Sequence, residues 1–123
     1  MQDFRNVQIW QRSHQLALLT YRITNDFPRD EIFGLRNMMR KISIDIPAYI
    51  AEGCGKPNDG EFSRSVSAAL GFANRLEYYA LMARDLHFLD ESIHQSFESE
   101  LIEVKKMMSG FNRRLLASTT SHN

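Results

Sequence analysis

An all-α chain folded as an antiparallel up-down-up-down four-helix bundle is what this sequence predicts, on three observations. Apolar residues recur at alternating steps of three and four through every long segment, which is the period of one helix face. Loop chemistry falls in a few places, at Phe27-Pro28-Arg29-Asp30, across Gly53–Gly60 and near His87–Asp90, and these breaks leave four segments. No Asn-Gly or Asp-Gly pair stands between two alternating apolar runs, so hairpins are not expected; Asp59-Gly60 opens onto a helical pattern instead. Short connections between long helices make neighbours antiparallel.

The first helix, α1, is expected over about residues 7–26. Ile9, Leu16 and Ile23 are seven apart, with Ser13, Thr20 and Phe27 four residues after each. The second, α2 at about 32–53, contains an ambiguity. Ile42-Ser43-Ile44-Asp45-Ile46 alternates like a strand and is followed by Pro47, which suits neither a central strand nor a helix interior. The helical stripe Leu35, Met38/Met39, Ile42, Ile46, Tyr49/Ile50 is far longer than that alternation, so the helix wins. Pro47 removes the donor that Ser43 needs, at a cost of roughly 3 kcal/mol, and a kink is expected there. Burial of Ile42, Ile46 and Ile50, at roughly 1.5–3 kcal/mol each, offsets it. Gly53 or Gly55 should then end α2 in a left-handed cap.

The third helix, α3 at about 59–87, opens with Asn58 and Glu61 at capping-box spacing. Its stripe is Phe62, Val66, Ala69, Ala73, Leu76, Ala80, Ala83. A run of small residues, Ser65, Ser67, Ala68, Ala69, Gly71 and Ala73, would let another helix come close, from the same chain or from another subunit. The fourth, α4 at about 90–117, carries Ile93, Phe97, Leu101, Val104, Met108, Phe111 and Leu115. Residues 1–117 therefore read as a single domain, and 118–123 as a polar, frayed tail.

Composition narrows the setting. With 15 basic and 15 acidic residues the formal charge is zero, so no global field draws nucleic acid. The lone Cys54 cannot pair internally, which fits a reducing compartment. No signal peptide is seen and no apolar run is long enough for a membrane span, so a cytoplasmic protein is expected.

Candidate chemistry is sparse. Glu91-x-x-His94 has the spacing of a bundle metal motif, but a di-iron site needs two such motifs plus two further glutamates, and the acids at 90 and 91 suit a helix start. His14, His87 and His122 have no partner at ligand or triad spacing, and Cys54 reads as an inert thiol. No pattern implies a cofactor, a metal or a reaction. Glu52 and Glu77 lie beside apolar turns and call for partners, with Arg36, Arg40 and Arg75 as candidates. Charge is segregated along α4: Asp90, Glu91, Glu98, Glu100 and Glu103 come first, then Lys105, Lys106, Arg113 and Arg114. Helix-dipole complementarity accounts for part of this. In a bundle the basic end of α4 also lies near Arg5, Arg12, Lys56 and Arg64, giving one basic pole that could hold phosphates and one acidic pole. Trp10, Phe72, Tyr78, Tyr79, Met82 and Phe88 fall outside the main stripes, and such a surplus predicts a homo-oligomer.

Several stretches together resemble the 23S rRNA intervening-sequence four-helix bundle family. They are Phe4-Arg5 with Val7 and Ile9-Trp10-Gln11, Phe27-Pro28, Phe33-Gly34-Leu35, Ile46-Pro47-Ala48-Tyr49-Ile50-Ala51-Glu52-Gly53, Glu61-Phe62, Leu76-Glu77-Tyr78 and Ala83-Arg84-Asp85-Leu86. The block around Pro47, Glu52 and Gly53 is the most specific. Ile9, Asp30-Glu31, Asp45, Tyr49 and Arg75 depart from the pattern, and Tyr49 and Arg75 would alter partner contacts. The resemblance implies a small bacterial protein with no catalytic residues to carry over. A related branch, the accessory variability determinants of diversity-generating retroelements, forms pentamers that bind a reverse transcriptase and RNA. By resemblance a pentamer is the favoured assembly. That branch is strongly basic and this chain is neutral, which weighs against the retroelement role. The two readings that remain are an oligomeric module binding RNA or a nucleoprotein, and a protein-only helical scaffold.

Overall fold

A computed structural model describes residues 2–31 and 33–121. The described residues form four α-helices, Gln8–Ile23 (α1), Leu35–Cys54 (α2), Asp59–Asp85 (α3) and Glu91–Ser121 (α4), with 3₁₀ turns at Phe4–Asn6 and Arg29–Glu31. Each helix packs on its neighbours in the chain, and α4 returns to α1; the diagonal pairs do not pack. This is the expected up-down-up-down bundle, with its core between the four stripes.

α1 ends earlier than expected. Pro28 biases the residue before it away from helical backbone, and Phe27 turns into the core against the Phe88 ring, 5.5 Å away. The hydroxyls of Thr20 and Thr24 are buried and donate back to the carbonyls of Leu16 and Thr20 at 2.8 Å, so both hydroxyl protons are satisfied within α1.

α2 runs unbroken through Pro47, and Ile42, Ile46, Pro47 and Ile50 are all buried. Ile44 points to solvent, which removes the strand reading: on a helix, 42 and 46 share a face and 44 does not. The left-handed glycine cap at the end of α2 is not found. Gly55 has φ −89° and ψ −1°, and no described glycine has positive φ. Gly53 serves packing instead. A Cβ there would sit 2.7 Å from Phe62 Cδ1 and 2.9 Å from Ser65 Cβ, so the hydrogen is what lets α2 and α3 meet. The left-handed cap occurs at His87, φ 64°. There the His87 and Phe88 amides donate to the carbonyls of Arg84 and Ala83 at 2.9 and 2.8 Å, a Schellman closure of α3 without glycine.

α3 buries its entire predicted stripe. Its small residues divide: Ser65, Ala69 and Ala73 are buried within the chain, while Ser67 and Gly71 are exposed. The extensive α2–α3 contact favours the intramolecular role for the buried part. On α4, His94 takes the inward place expected of Ile93, which is exposed. α4 also continues to Ser121, so residues 118–121 of the expected frayed tail are helical, while His122 and Asn123 lie outside the described residues. Trp10, Phe72, Tyr79 and Phe88 are partly buried against the core, so less of the expected apolar surplus is exposed; Tyr78 and Met82 are exposed.

Candidate nucleic-acid interface

The end where α2 and α4 finish and α1 and α3 begin gathers the predicted bases. Asn112 binds α4 to α3: its carbonyl accepts from the Ser63 hydroxyl at 2.7 Å and its amide donates to Ser67 Oγ at 3.1 Å. Phe62 and Phe111 meet edge to face at 5.3 Å beside it. These contacts fix the last turns of α4 and hence the direction of its basic residues.

The predicted bases have two fates. Lys105 is half-buried and donates to Glu77 Oε1 at 2.7 Å across the α3–α4 seam. Glu77 thus has a partner, but a lysine of α4 rather than Arg36, Arg40 or Arg75. Arg5 is paired with Asp3 at 3.0 Å; their hydrogen bond holds the Asp3 carboxyl below the usual carboxylate range and raises Arg5. Arg12 reaches Glu100 at 2.9 Å. Lys56 lies 3.8 Å from Glu52, which is exposed rather than half-buried as expected. Lys106, Arg113, Arg114 and Arg64 are exposed and have no carboxylate within pairing distance among the described residues.

Lys106 and Arg114 wall a cleft of about 480 Å³ between α4 and the start of α1, completed by Gln2, Asn6, Gln8 and Ile9. α1 begins at Val7 with no side-chain cap and no acid in its first turn. The other helices are capped: Glu31 Oε2 accepts from the Leu35 amide at 2.7 Å, Asn58 Oδ1 from Glu61 at 2.9 Å, and Asp90 Oδ1 from Ile93 at 2.8 Å. The Arg114 guanidinium lies 5.8 Å from the Phe111 ring, and both Arg113 and Arg114 reach back toward Gly110.

The opposite end is mixed rather than acidic as expected. Arg22, Arg29, Arg36, Arg40 and Arg84 stand there among Asp26, Asp30, Glu31, Asp85, Asp90 and Glu91. Arg40 donates to Thr24 Oγ1 at 2.8 Å and to the Tyr21 carbonyl at 3.0 Å, and lies 4.6 Å from the Tyr21 ring centre. Burial, then the nearby charge of Arg36, lowers its pKa. It closes the end of α1, a role that periodicity alone does not reveal.

The other chemical candidates resolve simply. Cys54 is buried, and burial pushes its thiol pKa up, with the charge of Asp3 adding to it. His14 stacks on Trp10 at 4.9 Å. His94 is buried with Nε2 unbonded and 3.9 Å from Glu98 Oε2. No cluster of three or more metal-ligating side chains occurs among the described residues. Among the described residues no helix is long and apolar enough to cross a membrane.

The architecture defines a small antiparallel four-helix bundle protein in which Lys106, Arg113, Arg114 and Arg64 are exposed and unpaired among the described residues. A model of the 23S rRNA-intervening sequence protein family matches residues 5–110, and the chain belongs to that family. Among curated proteins no sequence matches it.

Proposed function

We propose that this chain is a non-enzymatic, self-associating bacterial module of the cytoplasm that binds RNA or a ribonucleoprotein through the base-rich end of its bundle. The observation that carries this reading is Lys106 and Arg114, exposed, without carboxylate partners and lining the cleft at the uncapped start of α1, with Arg113 and Arg64 likewise exposed and unpaired on α4 and α3. On a neutral chain, Lys106 and Arg114 on one cleft offer a phosphate two cations at one place. Lys105 and Arg5 leave the predicted contact set, because each already holds a carboxylate. Contacts of this kind position a backbone and do not read bases, so binding should show little sequence preference. Assembly would repeat the basic end and add weak contacts through multivalency; family resemblance favours five copies.

Filter binding of a structured RNA tests this. The Lys106→Ala/Arg113→Ala/Arg114→Ala variant should bind about tenfold to a hundredfold more weakly at low salt, with a shallower dependence on salt, because each lost phosphate contact removes roughly 0.7–0.9 from the slope. Lys105→Ala should leave RNA affinity unchanged. Equal binding by wild type and the triple variant would overturn the basic-end reading.

A protein-only scaffold is the second reading, and the exposed Phe33, Leu18 and Ile44 favour it. Absence of any RNA binding at low salt would select it.

A further inference from the structure

Phe33 is the most exposed large apolar side chain among the described residues, at 92%. It stands in the α1–α2 loop on a built support. The Glu31 carboxylate accepts from the Leu35 amide at 2.7 Å and so caps α2. Gly34 makes room for that carboxylate, since a Cβ at Gly34 would collide with it. The cap thus ties the chain at Glu31 and Leu35, and the Phe33 ring between them stands in solvent. An exposed aromatic with few rotatable bonds loses little freedom on docking, which is why such residues act as anchors.

Between α1 and α2 lies an apolar groove of about 310 Å³, lined by His14, Ala17, Leu18, Tyr21, Ile44 and Pro47. Leu18 and Ile44 are each almost half exposed. An apolar cavity on the order of 150 Å³ is enough to hold benzene, so the groove accommodates a phenyl ring. From Leu35 to Ile44 is about 14 Å along α2, too far for Phe33 to reach the groove of its own chain while its loop is held by the cap. The charges around the two features complement each other. Arg22 and Lys41, one helical turn from Leu18 and Ile44, are exposed and have no carboxylate partner among the described residues. Asp30 beside the knob is exposed and equally unpaired among the described residues.

We infer that Phe33 of one copy seats in the α1–α2 groove of a second copy of this chain, with Asp30 facing Lys41 and Arg22. This deepens the self-association part of the proposed function and rests on it. Knob and groove are different surfaces, so the contact is head-to-tail and generates a closed ring or a filament. One anchor and its rim make a small interface, and stability comes from each copy both giving and receiving.

Analytical ultracentrifugation of the whole chain without RNA tests the contact, with circular dichroism as the check on folding. Wild type should sediment at a multiple of 14.3 kDa. Phe33→Ala and Ile44→Glu, both at exposed positions, should each weaken assembly about tenfold or more. Mixed in equal amounts, at concentrations well above those at which wild type assembles, they should form pairs through the one remaining contact and nothing larger. Only the Phe33 of the Ile44→Glu chain and the groove of the Phe33→Ala chain remain intact in that mixture. If wild type assembles and Phe33→Ala assembles as well, the inference falls and the self-association reading stands. If wild type stays at 14.3 kDa across the micromolar range, both fall. The RNA reading is decided separately by filter binding.

Discussion

Arg40 and Arg114 are the same residue type beside an aromatic ring at opposite ends of the bundle, and they do opposite things. Arg40 gives its donors to Thr24 and the Tyr21 carbonyl and lies close over the Tyr21 ring, closing α1 from the neighbouring helix. Arg114 lies loosely near Phe111, exposed, with no carboxylate, at the mouth of a cleft. The difference lies in what each end of a helix lacks. The last carbonyls of α1 need donors, and Arg40 supplies them. Arg114 shares its cleft with Lys106 and has no carboxylate within pairing distance among the described residues, so it has nothing there to hold. A base consumed by the fold and a base left for a ligand look alike in the sequence.

The comparison would break if the basic end were merely loose, its cations unpaired because little is packed there. Gly53 tests that, since it lies at the same end. Gly53→Ala must push its Cβ against Phe62 and Ser65, and overpacking of this kind costs about 1–3 kcal/mol. Urea denaturation should show the loss; an unchanged midpoint would mean that α2 and α3 can part easily there.

Arg40→Ala against Arg114→Ala sharpens the comparison directly. Removing Arg40 takes a donor from the part-buried Thr24 hydroxyl and from the Tyr21 carbonyl, loses the contact with the Tyr21 ring, and should cost about 1–2 kcal/mol. Removing Arg114 should change stability by no more than about 0.5 kcal/mol. Thermal melts of the two variants side by side give the answer, and equal losses would remove the distinction.

A smaller effect is expected at Lys105, the base that the fold uses within the basic region. Its pair with Glu77 is about a third exposed on either side, so solvent screening limits Lys105→Ala to about 1 kcal/mol or less. A double-mutant cycle with Glu77→Gln should recover most of that as coupling.

Cys54 completes the series. Its thiol pKa is raised in the folded chain because burial disfavours the thiolate. A group whose folded pKa lies above its unfolded value adds stability at lower pH and loses it as pH rises into the alkaline range. Native protein should therefore react with a thiol reagent about tenfold more slowly near pH 8 than protein in denaturant. Comparable rates would place Cys54 at the surface.

The sequence by itself determined the four helices, their order and nearly every core residue. The steps of three and four that name Phe62, Val66, Ala69, Ala73, Leu76, Ala80 and Ala83 follow from helix geometry alone, and all of them are buried. The same periodicity carried α2 across Pro47, because a stripe spanning several turns outweighs one missing hydrogen bond. Tertiary structure decided which polar groups meet. Glu77 finds Lys105 because α3 and α4 are antiparallel at a particular register; Arg40 finds α1 because α2 crosses beside its end. Gly53 faces Phe62 rather than capping a helix, and the left-handed cap falls on His87, where the α3–α4 turn needs it. Periodicity records which side of a helix is apolar, a property of each helix alone. Pairing depends on the relative height and rotation of two helices, which no single helix encodes. That is why the core was legible in advance, while the separation of spent bases from free ones, and with it the candidate site, appeared only when the helices were placed together.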